Sequence, residues 1–290
     1  MQFYSNKIIR TLFSIPTIKP IAFEVLKTCS NNHYSMPTLL KILSSDQSLA
    51  IQILRFANAS YYNYPRKIDS IDRAAIVLGF DQIKEIALSI ALRSLYKGFS
   101  VNTSSTYPIW KHSIITGFAM KILGEIFDSD SMDLLYMGGL LHDIGKIIFS
   151  QTITEEYELL LQKSQQDNTP IHLLEKKYLN VDHTEIGANL IREWNLPEGI
   201  EYMVQFHHSP DLYRDKVKAA LWIKLIYIGN IFTHSLEKIN EVSIDELKKN
   251  TTFSGKFSLS DKEIKRITFL INKEIKEQGK FLKMFEEVAL

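Results

Sequence analysis

The chain has a single cysteine, Cys29, among its 290 residues. That excludes an internal disulfide and a metal site built from thiolates, and it makes a reducing, cytoplasmic setting the expectation. An excess of charge of one sign is missing too: 34 Lys plus Arg stand against 33 Asp plus Glu. No broad electrostatic footprint for nucleic acid or anionic lipid is therefore expected. Long hydrophobic runs are also lacking. No stretch approaches the roughly 18 apolar residues of a membrane span, and Lys7, Arg10 and Lys19 interrupt the apolar residues before Pro20, so no secretory signal is expected. Glycine and proline number only 12 and 8, and the apolar/polar alternation of strands is scarce. The expected class is all-α.

What is present is apolar spacing of three and four almost throughout. Behind a cap at Asp46, the residues Leu49, Ala50, Ile53, Leu54 and Ala57 form one stripe that runs to Asn58. Ser70 caps a short helix that stops at Gly79, and Asp81 caps the next, with Ile83, Ile86, Ala87, Ile90 and Ala91 on one face. The Ser/Thr/Asn-rich stretch 98–106 reads as a boundary, after which Pro108 suits the first turn of a helix to Phe127. Further helices are predicted at Met132 to Leu141, Glu155 to Gln166, Ile171 to Leu179, His183 to Trp194, Gly199 to His207, Val217 to Leu236 and Asp261 to Glu287. The organisation expected is an N-terminal helical subdomain over 1–100, a helical core over 101–238 and a helical tail over 239–290.

The chemistry concentrates in the histidines. His112 shares a helix face with Ile115, Ala119 and Leu123, and His142 follows Gly138 by four and Leu135 by seven. His183 precedes Ile186, Gly187, Leu190 and Ile191, and His207 follows Ile200, Met203 and Val204. Each of the four is turned inward by the same arithmetic. Gly138 and Gly139 leave room for a second helix to come close to His142. Asp143 brings the negative charge that a divalent ion needs, Lys146 follows one turn later within reach of a phosphate oxygen, and His208 lies at the rim. A lone inward histidine is more often a satisfied core residue than a ligand; the conjunction of four with His142-Asp143-Ile144-Gly145-Lys146 is what points to one shared site. His33, His172 and His234 sit in polar or loop-like contexts and read as surface. Asp182 reads as a helix cap with Glu185 as its reciprocal partner. Tyr61, Tyr62 and Tyr64 beside Pro65 read as packing, and Trp110, Trp194 and Trp222 as core.

These residues resemble the HDOD domain, a relative of the HD-type phosphohydrolases found in bacterial signalling proteins. The likeness runs in order through Ile15-Pro16, Asp46 to Ser60, Ser70 to Gly79, Trp110-Lys111-His112-Ser113, Gly139 to Lys146, Glu175 with Asp182-His183 and Gly187-Ala188, Trp194-Asn195-Leu196-Pro197 and His207-His208. It covers about residues 10–235. The resemblance implies an HD-like helical core and a regulatory output or scaffold role more than an enzymatic one. His112, His142, Asp143, His183 and His207 match metal ligands of the related cyclic-dinucleotide phosphodiesterase branch, with His208 beside them. Two departures are visible. An Asp on a later helix of that branch is matched here by Gly229-Asn230, which offers a neutral oxygen at most. The Gly-Tyr-Pro element after the paired histidines is replaced by Ser209-Pro210-Asp211.

Two readings follow. The first is a cytoplasmic signalling module that binds a protein partner, retains a metal-binding site for Fe, Mn, Zn or Ni, and turns over little or nothing. The second is a metal-dependent phosphohydrolase acting on nucleotides or cyclic dinucleotides, with Lys146 as the catalytic residue steadying developing charge. A nucleotide or phosphate ligand suits either. No nucleic-acid or membrane partner is expected, and the oligomeric state is open.

Overall fold

In a computed structural model, residues 20–30, 35–58, 67–97, 103–213, 217–239 and 259–288 are described. The readings made for Ile15-Pro16, His33, Ala59-Ser60, Tyr61, Tyr62, Tyr64 and Pro65 lie outside them. No strand occurs among the described residues. The chain divides into two units, one formed by Thr17–Gly98 with Lys273–Leu290 and the other by Met1–Pro16 with Phe99–Asn272.

The first unit contains α1 (Pro20–Cys29), α2 (Met36–Ser45), α3 (Gln47–Ala57), α4 (Ile71–Leu78) and α5 (Phe80–Lys97). Its core is the apolar spacing made real: Leu26, Leu39, Leu43, Ile53, Phe56 and Ile83 are each fully buried or within 1% of it. The caps read from sequence at Asp46 and Ser70 are formed, Asp46 Oδ1 accepting from Leu49 N at 2.7 Å and Ser70 Oγ from Arg73 N at 3.3 Å. Asn58 does more than end α3. Its side-chain amide donates to the Ile68 carbonyl and accepts from the Ile68 amide at 2.7 and 2.8 Å, tying the corner to the start of α4. Asp81 is not a cap, because α5 already begins at Phe80 and Asp81 falls in its first turn.

The second unit contains α6 (Thr103–Phe127), α7 (Met132–Leu141), α8 (Ile144–Thr152), α9 (Thr154–Gln166), α10 (Ile171–Leu179), α11 (His183–Glu193), α12 (Glu198–Phe206) and α13 (Val217–Ile239). The helix α14 (Asp261–Val288) starts in this unit and buries Ile264, Ile267 and Ile271 along one stripe. Helix α6 starts earlier than the sequence suggested and takes in part of the stretch read as a boundary. Pro108 lies inside it, one turn from the start, where only a single backbone hydrogen bond is forfeited. Helix α8 has no counterpart in the sequence reading. Ile144 to Ser150 are all buried, Lys146 and Ser150 among them, and the three-and-four spacing of Ile144, Ile147 and Ile148 spans barely one turn, too short a run to mark a helix in the sequence. No described helix is long and apolar enough to cross a membrane.

Two glycines set how near the helices of this unit approach. A Cβ on Gly139 of α7 would lie 2.7 Å from Gly117 Cα and 2.8 Å from the Thr116 carbonyl oxygen of α6. A Cβ on Gly145 of α8 would run into the carbonyl of His183 at the head of α11. Main chain meets main chain at both points, and these are the helices that bear the histidines. Around them Phe118, Leu135, Leu140 and Ile186 are buried at 1% exposure or less, each side chain contributing about 1.5–3 kcal/mol on removal from water.

Candidate metal centre

His142 and Asp143 occupy the turn between α7 and α8. Asp143 stands where it could cap α8, yet its side chain makes no cap bond and is turned inward at 1% exposure. His112 reaches it from α6, His183 from the first position of α11, and His207 and His208 from the end of α12. His142, His183 and His207 have no exposed surface and His112 has 4%. The four histidines that the sequence turned inward therefore do converge, through the approach that Gly139 permits.

Their ligand atoms form two groups that share Asp143. In one, Asp143, His183, His207 and His208 each offer an atom within 4.8 Å of the others; in the second, His112, His142 and Asp143 do the same. Asp143 Oδ1 lies 3.4 Å from His183 Nε2 and 3.6 Å from His207 Nε2. Its Oδ2 lies 3.4 Å from His142 Nε2 and 3.9 Å from His112 Nε2. His183 Nε2 stands 3.4 Å from His207 Nε2 and 3.1 Å from His208 Nε2.

The opposite nitrogen of three rings is committed. His142 Nδ1 donates to the Gly139 carbonyl and His207 Nδ1 to the Val204 carbonyl, each at 2.8 Å. His183 Nδ1 donates to Glu175 Oε2 at 2.6 Å. A carbonyl or carboxylate only accepts, so each Nδ1 carries the hydrogen and each Nε2 of a neutral ring presents a lone pair. Burial drives the His142 ring toward its neutral form and takes His207 down to about 3, while burial and then the neighbouring His207 and His183 hold His208 well below the usual histidine range. Burial opposes the Asp143 charge, but the Lys146 ammonium beside it outweighs that, and the carboxyl is held well below its usual range. Lys146 Nζ donates to Asp143 Oδ2 at 2.6 Å. Acceptors thus face acceptors, and both His142 Nε2 and Asp143 Oδ1 are buried without a hydrogen-bond partner. A divalent cation is the group that satisfies such a set, and imidazole with carboxylate suits a borderline transition metal.

Beneath the ligands lies a support that sequence reasoning left without a role. Glu175 of α10 has no exposed surface. Its carboxylate accepts from Tyr157 OH at 2.6 Å, from His183 N at 2.9 Å and from His183 Nδ1. Burial works against its charge, and those three donors restore it below the ordinary value. Glu175 lies four residues after Ile171 and four before Leu179, so an acid on the apolar stripe of α10 was the available signal. Asp182 does cap α11, accepting from Thr184 N at 2.9 Å and Glu185 N at 3.1 Å. Glu185 does not reciprocate; it pairs with Lys176 at 2.6 Å, while the His183 amide is taken by Glu175.

The two described histidines read as surface belong to the same region. His172 is half-buried and stacks on His208 with centroids 4.1 Å apart, and the exposed His234 stacks on His112 at 4.2 Å. Asn230 Oδ1 accepts from His112 Nε2 at 2.8 Å. A cavity of about 720 Å³ opens above the centre, with Lys146, His207 and His208 at its floor and Asn168 to His172 and the α13 residues Tyr227, Asn230, Ile231 and His234 around it. The segment after the paired histidines takes no part. Pro210–Leu212 form a 3-10 turn, and Tyr213 packs on Tyr202 and Phe206. Of the tryptophans only Trp110 is fully core; Trp194 and Trp222 are half-buried, and Trp222 Nε1 donates to Asp128 Oδ2 at 2.9 Å.

Comparison with known proteins agrees on the family and the fold. The sequence profile of the HDOD domain matches residues 15–210. A Treponema pallidum (strain Nichols) protein named only as uncharacterized is 23% identical over 73% of this chain and 42% of its own length. The Bacillus subtilis (strain 168) protein YuxH, named in the same way, is 30% identical over 36% of this chain and 24% of its own. The chain thus matches under half the length of these curated relatives. Among solved structures, a provisionally named phosphohydrolase from Shewanella amazonensis superposes with a TM-score of 0.72 at 19% identity, covering 97% of this chain and 98% of that one. An HDOD domain protein of unknown function from Geobacter sulfurreducens gives 0.69 at 20% identity, covering 98% and 97%. A provisionally named signal transduction protein from Marinobacter aquaeolei gives 0.71 at 19%, covering 95% and 60%. At these identities the likenesses show the fold.

Proposed function

We propose, from the premise that this chain belongs to the HDOD domain family, that it is a cytoplasmic signal-transduction module whose buried centre holds a divalent transition metal, Fe, Mn, Zn or Ni. It acts by binding a signalling protein and turns over little or no substrate. One observation carries the metal assignment: three rings with Nδ1 committed as donor bring Nε2 lone pairs up to a buried carboxylate whose Oδ1 has no donor. His183, His207 and His208 with Asp143 would hold the ion, and His112 and His142 would close the other side of the same carboxylate. The ion stabilises the fold by binding only the folded state. The regulatory part of the reading is supported by the neutral Asn230 in place of a carboxylate and by a cavity lining to which residues 209–213 do not contribute.

The test is elemental analysis of the full chain freshly isolated from cells, before and after dialysis against Zn²⁺ or Mn²⁺. About one equivalent is expected, and less than about a tenth in both samples would overturn the reading.

The cavity above the centre favours a second reading, a metal-dependent phosphohydrolase. A bound metal would supply a water deprotonated near neutral pH. Lys146, already within the centre, would neutralise charge developing on a phosphoryl oxygen, and the half-buried His208 stands at the cavity floor. Hydrolysis of cyclic dinucleotides or nucleotide phosphates by the Mn²⁺- or Fe²⁺-loaded chain, lost in His142→Ala, would replace the first reading with this one.

A further inference from the structure

The cavity has a composition that its position does not require. Among the described residues lining it there is no aspartate or glutamate, while Lys146 and four histidines, His172, His207, His208 and His234, all contribute. The two carboxylates of the centre, Asp143 and Glu175, lie beneath and do not reach the lining. Beneath the cavity the Asp143 and Lys146 charges cancel and Glu175 adds one negative charge, so a divalent ion held there leaves a net charge of one positive with nothing acidic on the described walls to offset it.

Donors surround that charge. The first turn of α10 enters the cavity through Pro170, Ile171 and His172, and no side chain caps its free amides. His172 also carries an Nδ1 that is shut off from water and has no hydrogen-bond partner. The segment that presents this turn is fixed by a two-way clasp: the Ser164 hydroxyl donates to the Thr169 carbonyl at 2.6 Å, and the Thr169 amide to the Ser164 carbonyl at 3.1 Å. Pro170, Ile171, Ile231 and the ring of Tyr227 give the lining a flat, apolar part, and its other members, Ser164, Gln165, Asn168, Thr169 and Asn230, are polar and uncharged. A volume of about 720 Å³ is of the size that encloses a small organic ligand, not a bare ion.

We propose that this cavity is the receptor site for a small oxyanion carrying a planar or apolar group, and that the first turn of α10 and the Tyr227–Ile231–His234 stripe of α13 select it. The inference rests on the metal reading above and assigns the regulation of that site. The anion sits toward Lys146, His207 and the uncapped turn. The ring of the ligand lies among Ile171, Ile231 and Tyr227. Recognition thereby comes from α10 and α13, and the segment that follows the paired histidines contributes none of it.

The experiment uses the full chain loaded with Zn²⁺ and three probes that share a ring: phenylphosphonate, benzoate and benzyl alcohol. Titration calorimetry is expected to show at least one anion binding about tenfold or more tighter than the alcohol, and the order of the two anions tells a phosphate-like ligand from a carboxylate. Ile231→Glu, which places a charge of the wrong sign in the wall, is expected to weaken the better anion about tenfold at unchanged zinc content. The isosteric Gln165→Glu at the exposed rim, which leaves the core untouched, should weaken it about threefold. Equal binding of all three probes, or anion affinity unchanged in both variants, overturns the inference. Zinc measured in each sample separates the outcomes: full zinc without anion binding sinks this inference alone, and absence of zinc sinks the reading beneath it.

Discussion

The two oxygens of Asp143 live in different surroundings. Oδ2 accepts from the Lys146 ammonium at 2.6 Å and looks toward His142 and toward His112, itself paired with the neutral Asn230. Oδ1 faces His183 and His207 at 3.4 and 3.6 Å and has no donor at all. Behind His183 stands the ionised Glu175, whereas His142 is backed by a backbone carbonyl. One side of a single carboxylate therefore already has a cation, supplied by the chain, and the opposite side is arranged for one from outside. This accounts for how the Oδ2 side tolerates Asn230: a second negative charge there would have only the one ammonium to balance it.

The comparison is most severely broken at Asp143 itself. Asp143→Asn is expected to abolish metal uptake, measured by elemental analysis, and to lower stability in denaturant titration by about 3–5 kcal/mol, because Lys146 is left buried without its partner. Retention of metal by that variant would make the carboxylate dispensable and the whole arrangement coincidental. Next in size is the support of the Oδ1 side: Glu175→Gln should weaken metal binding roughly 10–100-fold in a competitive chelator titration, with Tyr157→Phe weaker in effect. If Asn230→Ala proved as damaging as Glu175→Gln, the asymmetry would be false.

Acidity offers a third probe on chelator-treated protein. The folded-state value of His207 is lowered to about 3 by burial, so between there and its ordinary value the unfolded chain binds the extra proton. Stability from this group is full above about pH 6.5 and is lost as pH falls, by about 2 kcal/mol between pH 6.5 and 5. Melting curves across that range should show the decline, and His207→Gln should flatten it; a melting temperature that rose on acidification would contradict the buried neutral ring. The smallest change expected is from Asn230→Asp, which adds charge on the Oδ2 side and should raise uptake of a second ion by a few-fold over the parent, read by the same titration. An unchanged stoichiometry curve would mean that Lys146 alone governs that side.

Much of this was legible in the residues. Spacing of three and four gave the helices and turned His112, His142, His183 and His207 inward, and all four meet at Asp143. What spacing cannot report is which inward groups touch across helices. Glu175 was visible as an acid on an apolar stripe, but only the fold shows that it lies under His183. His234 is exposed as read and His172 is half-buried, but polar neighbours in sequence say nothing of the aromatic ring that a different helix brings beside each. Helix α8 escaped notice because its helical spacing, Ile144 with Ile147 and Ile148, covers barely one turn, too short a run to be told from a loop or strand.

The glycine contacts at 139 and 145 carry one more consequence. Because α6 meets α7, and α8 meets α11, through bare backbone, the separations of His112 and His183 from the turn that bears His142 and Asp143 are set by main-chain thickness, a dimension common to all polypeptides. Residues on the outer flanks of those helices can then change in bulk without altering these two separations, whereas a side chain of any size at 139 or 145 would wedge them apart.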